Sequence, residues 1–195
     1  MIKKHYYTWQ DIERMCVQIV TQMYADNWRP DYIVGLTRGG NIPATIISNM
    51  TGIRCEALKV SLRDDNIESE SNLWMAEDAF GYEWWKINKH NEDINASAGL
   101  PIVNIANPGK NILIVDDIND TGATFNWIKQ DWQSSCLPNE DIVWHGVWHH
   151  NVRFATLTDN LASEFKGTLD YSCHEINKAE EDQWLVYPWE NVGQY

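Results

Sequence analysis

Three aspartates followed by threonine and glycine form the segment of this sequence with the clearest potential for chemistry. Residues 111–124 read Asn-Ile-Leu-Ile-Val-Asp-Asp-Ile-Asn-Asp-Thr-Gly-Ala-Thr, so an apolar run ends in the adjacent acids Asp116 and Asp117. Two neighbouring carboxylates suit the hydroxyl groups of a sugar, with or without a bridging metal ion. At the end of a buried strand they would be costly without such a partner, which argues against a plain strand-to-helix turn with a capping acid.

The residues after these acids have the features of a phosphate-binding loop. Thr121 and Thr124 supply hydroxyl donors, and Gly122 allows the backbone to approach a ligand closely. If a helix begins near Thr121, its N–H groups and the positive end of its dipole favour a bound phosphate without the help of a lysine.

A second candidate loop is Thr37-Arg38-Gly39-Gly40, between an apolar run and a stretch with helical periodicity. Backbone N–H groups of the two glycines and the basic side chain of Arg38 are suited to binding an anion. The Arg-Gly-Gly sequence taken alone fits a simple turn equally well.

The remaining pattern predicts the elements that position these two loops. Apolar or alternating runs predict strands at 32–36, 55–62, 111–115, 142–148, near 171 and at 184–187. Helical periodicity predicts helices at 9–27, at 42–50 and from about 121 onward. Alternating strands and helices indicate an α/β fold with a doubly wound, mainly parallel sheet flanked by helices. Ligands bind such sheets beyond the carboxyl ends of the strands, where both candidate loops would lie.

The length of 195 residues fits one domain, 1–195. Within it, residues 63–109 are rich in acidic and amide side chains and in aromatic rings, without a regular period. A long irregular stretch inside a compact domain is usually functional, so we interpret 63–109 as a hood or lid insertion. We interpret residues 170–195 as a C-terminal segment that contributes to ligand binding.

Composition excludes several classes of partner. The net charge of −13 and the absence of a basic run argue against nucleic acid, and imply that a phosphate ligand is held by backbone N–H groups and a cation. No apolar run approaches the roughly 20 residues of a membrane span.

The four cysteines are scattered without C-x-x-C spacing, and no signal peptide is evident, so we expect reduced thiols in a cytoplasmic protein.

The segment 111–124 resembles the binding motif for phosphoribosyl pyrophosphate (PRPP) of the type I phosphoribosyltransferases, which move a 5-phosphoribosyl group from PRPP to a nucleobase. The resemblance implies that Asp116 and Asp117 hold the ribose hydroxyls and a Mg²⁺ ion. It implies that Asp120 accepts a proton from the base. The 5-phosphate would be wrapped by Asp120, Thr121, Gly122, Ala123 and Thr124.

The other loop, Thr37-Arg38-Gly39-Gly40, resembles the pyrophosphate loop of the same family. The resemblance implies that its amides and Arg38 hold the leaving pyrophosphate. It also makes the Thr37–Arg38 peptide a candidate for the cis form.

The C-terminal segment 183–190, Gln-Trp-Leu-Val-Tyr-Pro-Trp-Glu, is similar to the end of bacterial xanthine-guanine phosphoribosyltransferases. The resemblance implies that Trp184 and Leu185 cover a purine, although Trp184 could instead belong to the core. The purine branch usually has a lysine after the fourth main strand that binds the 6-oxo group, and residues 147–153 contain none. His150 is therefore a candidate for contacting the base, with Arg153 as its alternative.

Family members usually pair as homodimers, so a homodimer is expected here. Two other interpretations stay open at this stage. One is a PRPP-binding regulator that keeps the fold without catalysis, and the other is a transferase that acts on a pyrimidine or another acceptor.

Overall fold

A computed structural model describes residues 3–60, 72–82, 109–136, 139 and 141–190. Its strands are β1 (Lys3–Tyr6), β2 (Tyr32–Thr37), β3 (Cys55–Lys59), β4 (Ile112–Asn119), β5 (Val152–Asn160), β6 (Tyr171–Ile176) and β7 (Gln183–Val186). Its helices are α1 (Trp9–Ala25), α2 (Asn41–Thr51), α3 (Leu73–Phe80), α4 (Ala123–Ser135) and α5 (Asp141–Trp144). No helix in these ranges is long and apolar enough to cross a bilayer.

The central sheet has five strands in the order β3-β2-β4-β5-β6, and every neighbouring pair is parallel. Alternate residues of β4 point to opposite faces. Leu113 and Val115 pack with α1 and α2, whereas Ile112 and Ile114 pack with α3 and α4. Helices therefore cover both faces of a parallel sheet, which confirms the predicted fold class.

Two of the helices have clear sequence signals at their ends. Thr8 caps α1 in a capping box with Asp11, in which each side chain accepts a hydrogen bond from the other residue's backbone N–H. Gly52 ends α2 with a φ of 69°, a left-handed conformation that glycine adopts without strain.

The predicted strand at 142–148 is wrong. Residues 141–144 form the short helix α5, and the next strand of the sheet is β5, at Val152–Asn160. Short apolar runs do not distinguish a strand from a buried helical turn. The true strand was hidden because Thr156 and Thr158, although fully buried, interrupt its apolar pattern.

Most of the predicted hood at 63–109 lies outside the described residues. Within it, α3 packs against the sheet face that also carries α4, with Met75 and Phe80 buried in that layer. This part of the insertion therefore belongs to the core of the fold.

A second, two-stranded parallel sheet joins β1 to β7. An ion pair between Lys3 Nζ and Glu181 Oε1, 2.9 Å long, lies beside it. The pairing holds the C-terminal segment in place next to α1, whose first turn contacts Trp189 through Trp9.

Candidate active site

Asp116 and Asp117 lie in the second half of β4, the central strand of the sheet. The register pairs Asp116 with Thr156 and Asn119 with Asp159 of β5, so the acids are at the carboxyl end of the sheet. This is the position that the sequence predicted, at the edge where parallel sheets bind ligands.

The loop from β4 into α4 turns sharply at Gly122. This residue is the N-cap of α4 with a φ of 81°, and a Cβ there would lie 2.3 Å from the backbone nitrogen of Phe165. The Glu164 N–H donates to the Thr121 carbonyl at 3.1 Å, so the chain after β5 is hydrogen-bonded to this loop. The helix begins at Ala123, slightly later than predicted, and places its N-terminus beside the acids.

The Thr37–Gly40 loop packs directly against the two acids, because β2 and β4 are neighbours. A Cβ on Gly39 would lie 1.8 Å from Asp117 Oδ2, and one on Gly40 would lie 2.4 Å from the Val115 carbonyl oxygen. Glycine is thus required at both positions for the loop to approach β4 so closely. The Thr37–Arg38 peptide is cis, as the resemblance had suggested.

The surroundings of Asp117 disfavour the charged form of its carboxyl group. Burial raises the pKa of this carboxyl, and the nearby carboxylate of Glu190 raises it further, whereas its interaction with the Asp116 side chain and the hydrogen bond that it accepts from the Ile118 N–H lower it. A cation that binds beside Asp117 would offset both unfavourable effects.

The described residues contain no cluster of three or more side chains of the kind that holds a metal alone. The adjacent carboxylates of Asp116 and Asp117 nevertheless fit Mg²⁺, because this ion is usually bound by one or two carboxylates together with substrate phosphates and water.

A chain of buried hydroxyl groups links Asp117 to the N-terminal segment. The Tyr187 hydroxyl donates to the Asp117 carbonyl at 3.0 Å and lies 3.1 Å from Thr158 Oγ1. Thr158 Oγ1 is 2.9 Å from the Tyr7 hydroxyl, which also hydrogen-bonds His174 Nδ1. Burial raises the pKa of Tyr187 well above its usual value, so this hydroxyl stays a donor. Sequence analysis missed this chain, whose members are scattered along the sequence.

Two further residues contact Asp120 and were not predicted. Lys178 Nζ lies 2.8 Å from Asp120 Oδ1, and Asn160 Nδ2 donates to the Asp120 carbonyl at 2.8 Å. Asn160 is the last residue of β5, and Lys178 lies in the turn that follows β6.

Trp184 and Leu185 point to opposite sides of β7, as adjacent strand residues do. Trp184 is 54% exposed, so it is not a core residue of the described fold. Leu185 is buried in the core layer of α1 and α2. A flat base can therefore stack on the Trp184 side chain but not on both side chains at once.

The prediction that His150 contacts the base is wrong. His150 precedes β5 and so lies at the amino end of the sheet, opposite to the acids, where its carbonyl accepts a hydrogen bond from Trp28 Nε1 at 3.0 Å. Arg153 lies at the same end and binds Asp26 Oδ2 at 2.9 Å. Both errors follow from the misplaced strand at 142–148.

Comparisons with known proteins agree with this geometry. The family model described as phosphoribosyl transferase domain matches residues 2–188. The chain is 22% identical to xanthine phosphoribosyltransferase 1 of Saccharomyces cerevisiae, over 96% of this chain and 90% of that protein. It is 26% identical to the hypoxanthine-guanine phosphoribosyltransferase of Schizosaccharomyces pombe, over 95% of this chain and 88% of that protein.

Among solved structures, the fold is similar to that of a purine phosphoribosyltransferase from Pyrococcus horikoshii. The TM-score is 0.59 at 20% sequence identity, and the match covers 100% of this chain and 98% of the other. At this identity the likeness concerns the fold. The family match, in contrast, extends over nearly the whole sequence, and the chain therefore belongs to the phosphoribosyl transferase domain family.

Proposed function

We propose that this protein transfers the 5-phosphoribosyl group of PRPP to a purine base and releases pyrophosphate. The observation that carries the proposal is the contact between two loops that suit two parts of one substrate. Gly39 and Gly40 pack against Asp117 and against the Val115–Asp116 backbone, so a ribose held by the acids would have its pyrophosphate on the adjacent loop. The names of the relatives support a purine as the acceptor.

Each part of PRPP has a matching group at the carboxyl end of the sheet. The 5-phosphate fits the start of α4, formed by Thr121, Gly122, Ala123 and Thr124. The ribose hydroxyls fit Asp116 and Asp117. The pyrophosphate fits the loop formed by Thr37, Arg38, Gly39 and Gly40. These assignments support a substrate that is held at both ends, which fixes the ribose C1 for attack.

Cleavage of the bond between C1 and pyrophosphate builds positive charge on the ribose and negative charge on the leaving group. Arg38 and the backbone N–H groups of its loop would stabilise the negative charge as it develops. A Mg²⁺ ion held by Asp116 and Asp117 would supply further neutralisation of the pyrophosphate when bound. No covalent intermediate with the protein is required.

Asp120 is the proposed proton acceptor for the imidazole ring of the base as the new bond to C1 forms. Its position between β4 and the start of α4, where the 5-phosphate is proposed to bind, supports this role. Trp184, exposed on β7, is the proposed stacking platform.

We further propose a cytoplasmic homodimer. Four free thiols support a reducing compartment. Exposed aromatic side chains such as Trp9 and Trp74 support association of two copies. Light scattering at micromolar concentration tests for the homodimer, and the detection of monomer alone would contradict it.

The test of the activity is a panel of free bases supplied with PRPP and Mg²⁺, with pyrophosphate release as the readout. Release with a purine, lost in Asp116→Asn, is the expected result. Release with a pyrimidine but with no purine would show that the acceptor is a pyrimidine. PRPP binding without release from any base would indicate a regulator instead of an enzyme.

A further inference from the structure

We infer that His174 is a positioning residue for Asp117, one of the two acids proposed to hold the ribose. With a hydrogen on its Nδ1 atom, His174 directs the chain of buried hydroxyl groups so that the last of them, on Tyr187, donates to the Asp117 carbonyl. The inference rests on the proposed function, because it concerns the binding of PRPP. It extends the site to β6, a strand outside both ligand-binding loops.

The number of hydrogens in the chain makes its direction depend on His174. Tyr7, Thr158 and Tyr187 have one hydroxyl hydrogen each. The Tyr187 hydroxyl has two acceptors within reach, the Asp117 carbonyl at 3.0 Å and Thr158 Oγ1 at 3.1 Å. At the other end, the Tyr7 hydroxyl lies 2.9 Å from Thr158 Oγ1 and hydrogen-bonds His174 Nδ1. Each of these hydroxyls therefore has two contacts but only one hydrogen to donate.

The hydrogen on His174 Nδ1 decides between two directions of the chain. If Nδ1 carries no hydrogen, it accepts from Tyr7, and Tyr7 then accepts from Thr158. The Tyr187 hydrogen goes to Thr158 in that case, and the Asp117 carbonyl loses its donor. If Nδ1 carries the hydrogen, it donates to Tyr7 and Tyr7 donates to Thr158, which leaves the Tyr187 hydrogen for Asp117. Only the second direction supplies the carbonyl, which can accept but not donate.

The surroundings of His174 make the choice of nitrogen decisive. Burial lowers the pKa of His174, and the neighbouring His5 lowers it further, so the ring is held in its neutral form. A neutral imidazole has a single N–H, on one nitrogen or the other. Beyond the ring the chain is closed to water, because Tyr7, Thr158 and Tyr187 are all buried. Water therefore cannot replace a donor that the chain directs elsewhere.

One peptide group connects the chain to the carboxylate of Asp117. The Asp117 carbonyl and the Ile118 N–H belong to the same planar unit. Tyr187 donates to the carbonyl, and the Ile118 N–H donates to Asp117 Oδ1 at 2.9 Å. If Tyr187 no longer donates, this peptide can rotate and turn its N–H away from Oδ1, which changes the orientation of the carboxylate. The hydroxyl chain thus orients the acid at the point where the ribose is proposed to bind.

The first test determines which nitrogen of His174 carries the hydrogen. The nitrogen NMR resonances of a neutral imidazole distinguish the atom with a hydrogen from the atom without one. The resonances of His174 are assigned by their loss in His174→Phe. We expect the hydrogen on Nδ1 at about pH 8, where a histidine with a lowered pKa is neutral. A hydrogen on Nε2 in the folded protein would overturn the inference.

The second test measures the Kd for PRPP by calorimetry, which fits the binding-competent fraction of each preparation separately. We expect His174→Phe to weaken binding about 10-fold with kcat nearly unchanged, since the ribose is held alike in the ground state and the transition state. His174→Asn should restore most of the affinity, because its amide can donate in place of Nδ1. His5→Phe is the matched control: the His5 ring centroid lies 4.6 Å from that of Tyr7, outside the chain, and PRPP binding should match the parent.

A double substitution shows whether His174 acts through Tyr187. Tyr187→Phe removes the donor at the other end of the chain, so the variant with both His174→Phe and Tyr187→Phe should bind PRPP about as weakly as either single variant. Independent effects would multiply to about 100-fold and would overturn the inference, as would parent affinity in His174→Phe, and both results leave the proposed transfer intact. A parent protein that binds no PRPP would overturn the proposed function as well.

Discussion

Replacing Gly39 with alanine should separate the geometry of the site from the stability of the fold. An added Cβ would lie 1.8 Å from Asp117 Oδ2 and 2.4 Å from Asp117 Cγ. Gly39 does not have the left-handed backbone conformation of Gly122, so the effect of the new methyl group is steric. Either the carboxylate or the loop must move by more than about 1 Å to restore an ordinary contact distance.

A displacement of that size separates the proposed ribose and pyrophosphate contacts from each other. Misplacement of reacting groups by about 1 Å can cost roughly 100-fold in rate, which corresponds to about 2.7 kcal/mol of transition-state stabilisation. We therefore expect Gly39→Ala to lower kcat/KM for PRPP about 100-fold, together with a weaker Kd for PRPP in calorimetry.

Gly52→Ala is the matched control. Gly52 ends α2 with a φ of 69°, and a Cβ there would meet nothing within 4 Å. That substitution should cost about 1–2 kcal/mol of the free energy of unfolding, because an alanine is strained in this conformation, without affecting PRPP binding. If Gly39→Ala bound PRPP and turned over like the parent, the close contact between the two loops would not be required for catalysis.

Three other perturbations test neighbouring parts of the site. Asp120→Asn should leave the Kd for PRPP nearly unchanged and lower kcat by roughly 10²–10⁴, and turnover at the parent rate would remove the proton-acceptor assignment. Tyr187→Phe removes the donor to the Asp117 carbonyl and should lower the free energy of unfolding by about 1–3 kcal/mol in urea titrations, whereas an unchanged midpoint would contradict the role of the hydroxyl chain. Chelation with EDTA should abolish pyrophosphate release, and added Mg²⁺ should restore it; persistent release would exclude a required divalent ion.

The sequence predicted those parts of the site that depend on local patterns. The continuous apolar run of β4 and the acids that follow it specify a strand end, a loop and a helix start within a few positions of each other. The Thr37–Gly40 loop could be placed for the same reason, because an apolar strand precedes it and a helix follows it.

The contacts that sequence reasoning missed connect segments far apart along the chain. Lys178 reaches Asp120 because β6 lies beside β5 and the turn after β6 returns over the loop after β4. Nothing in the spacing of residues near Lys178 indicates that contact. His150 was misassigned because the apolar run 142–148 was interpreted as a strand. After such a strand His150 would lie at the carboxyl end of the sheet, whereas it precedes β5 and lies at the amino end.

The pairing of β1 with β7 implies that backbone hydrogens will exchange with solvent at different rates in the two sheets. All four residues of β1 are exposed, and two strands alone form a weak unit, so local opening suffices to release their hydrogens. The hydrogens of β4, buried between two layers of helices, are released by opening of the whole fold. Exchange rates therefore distinguish opening of the β1–β7 pair from opening of the five-stranded sheet.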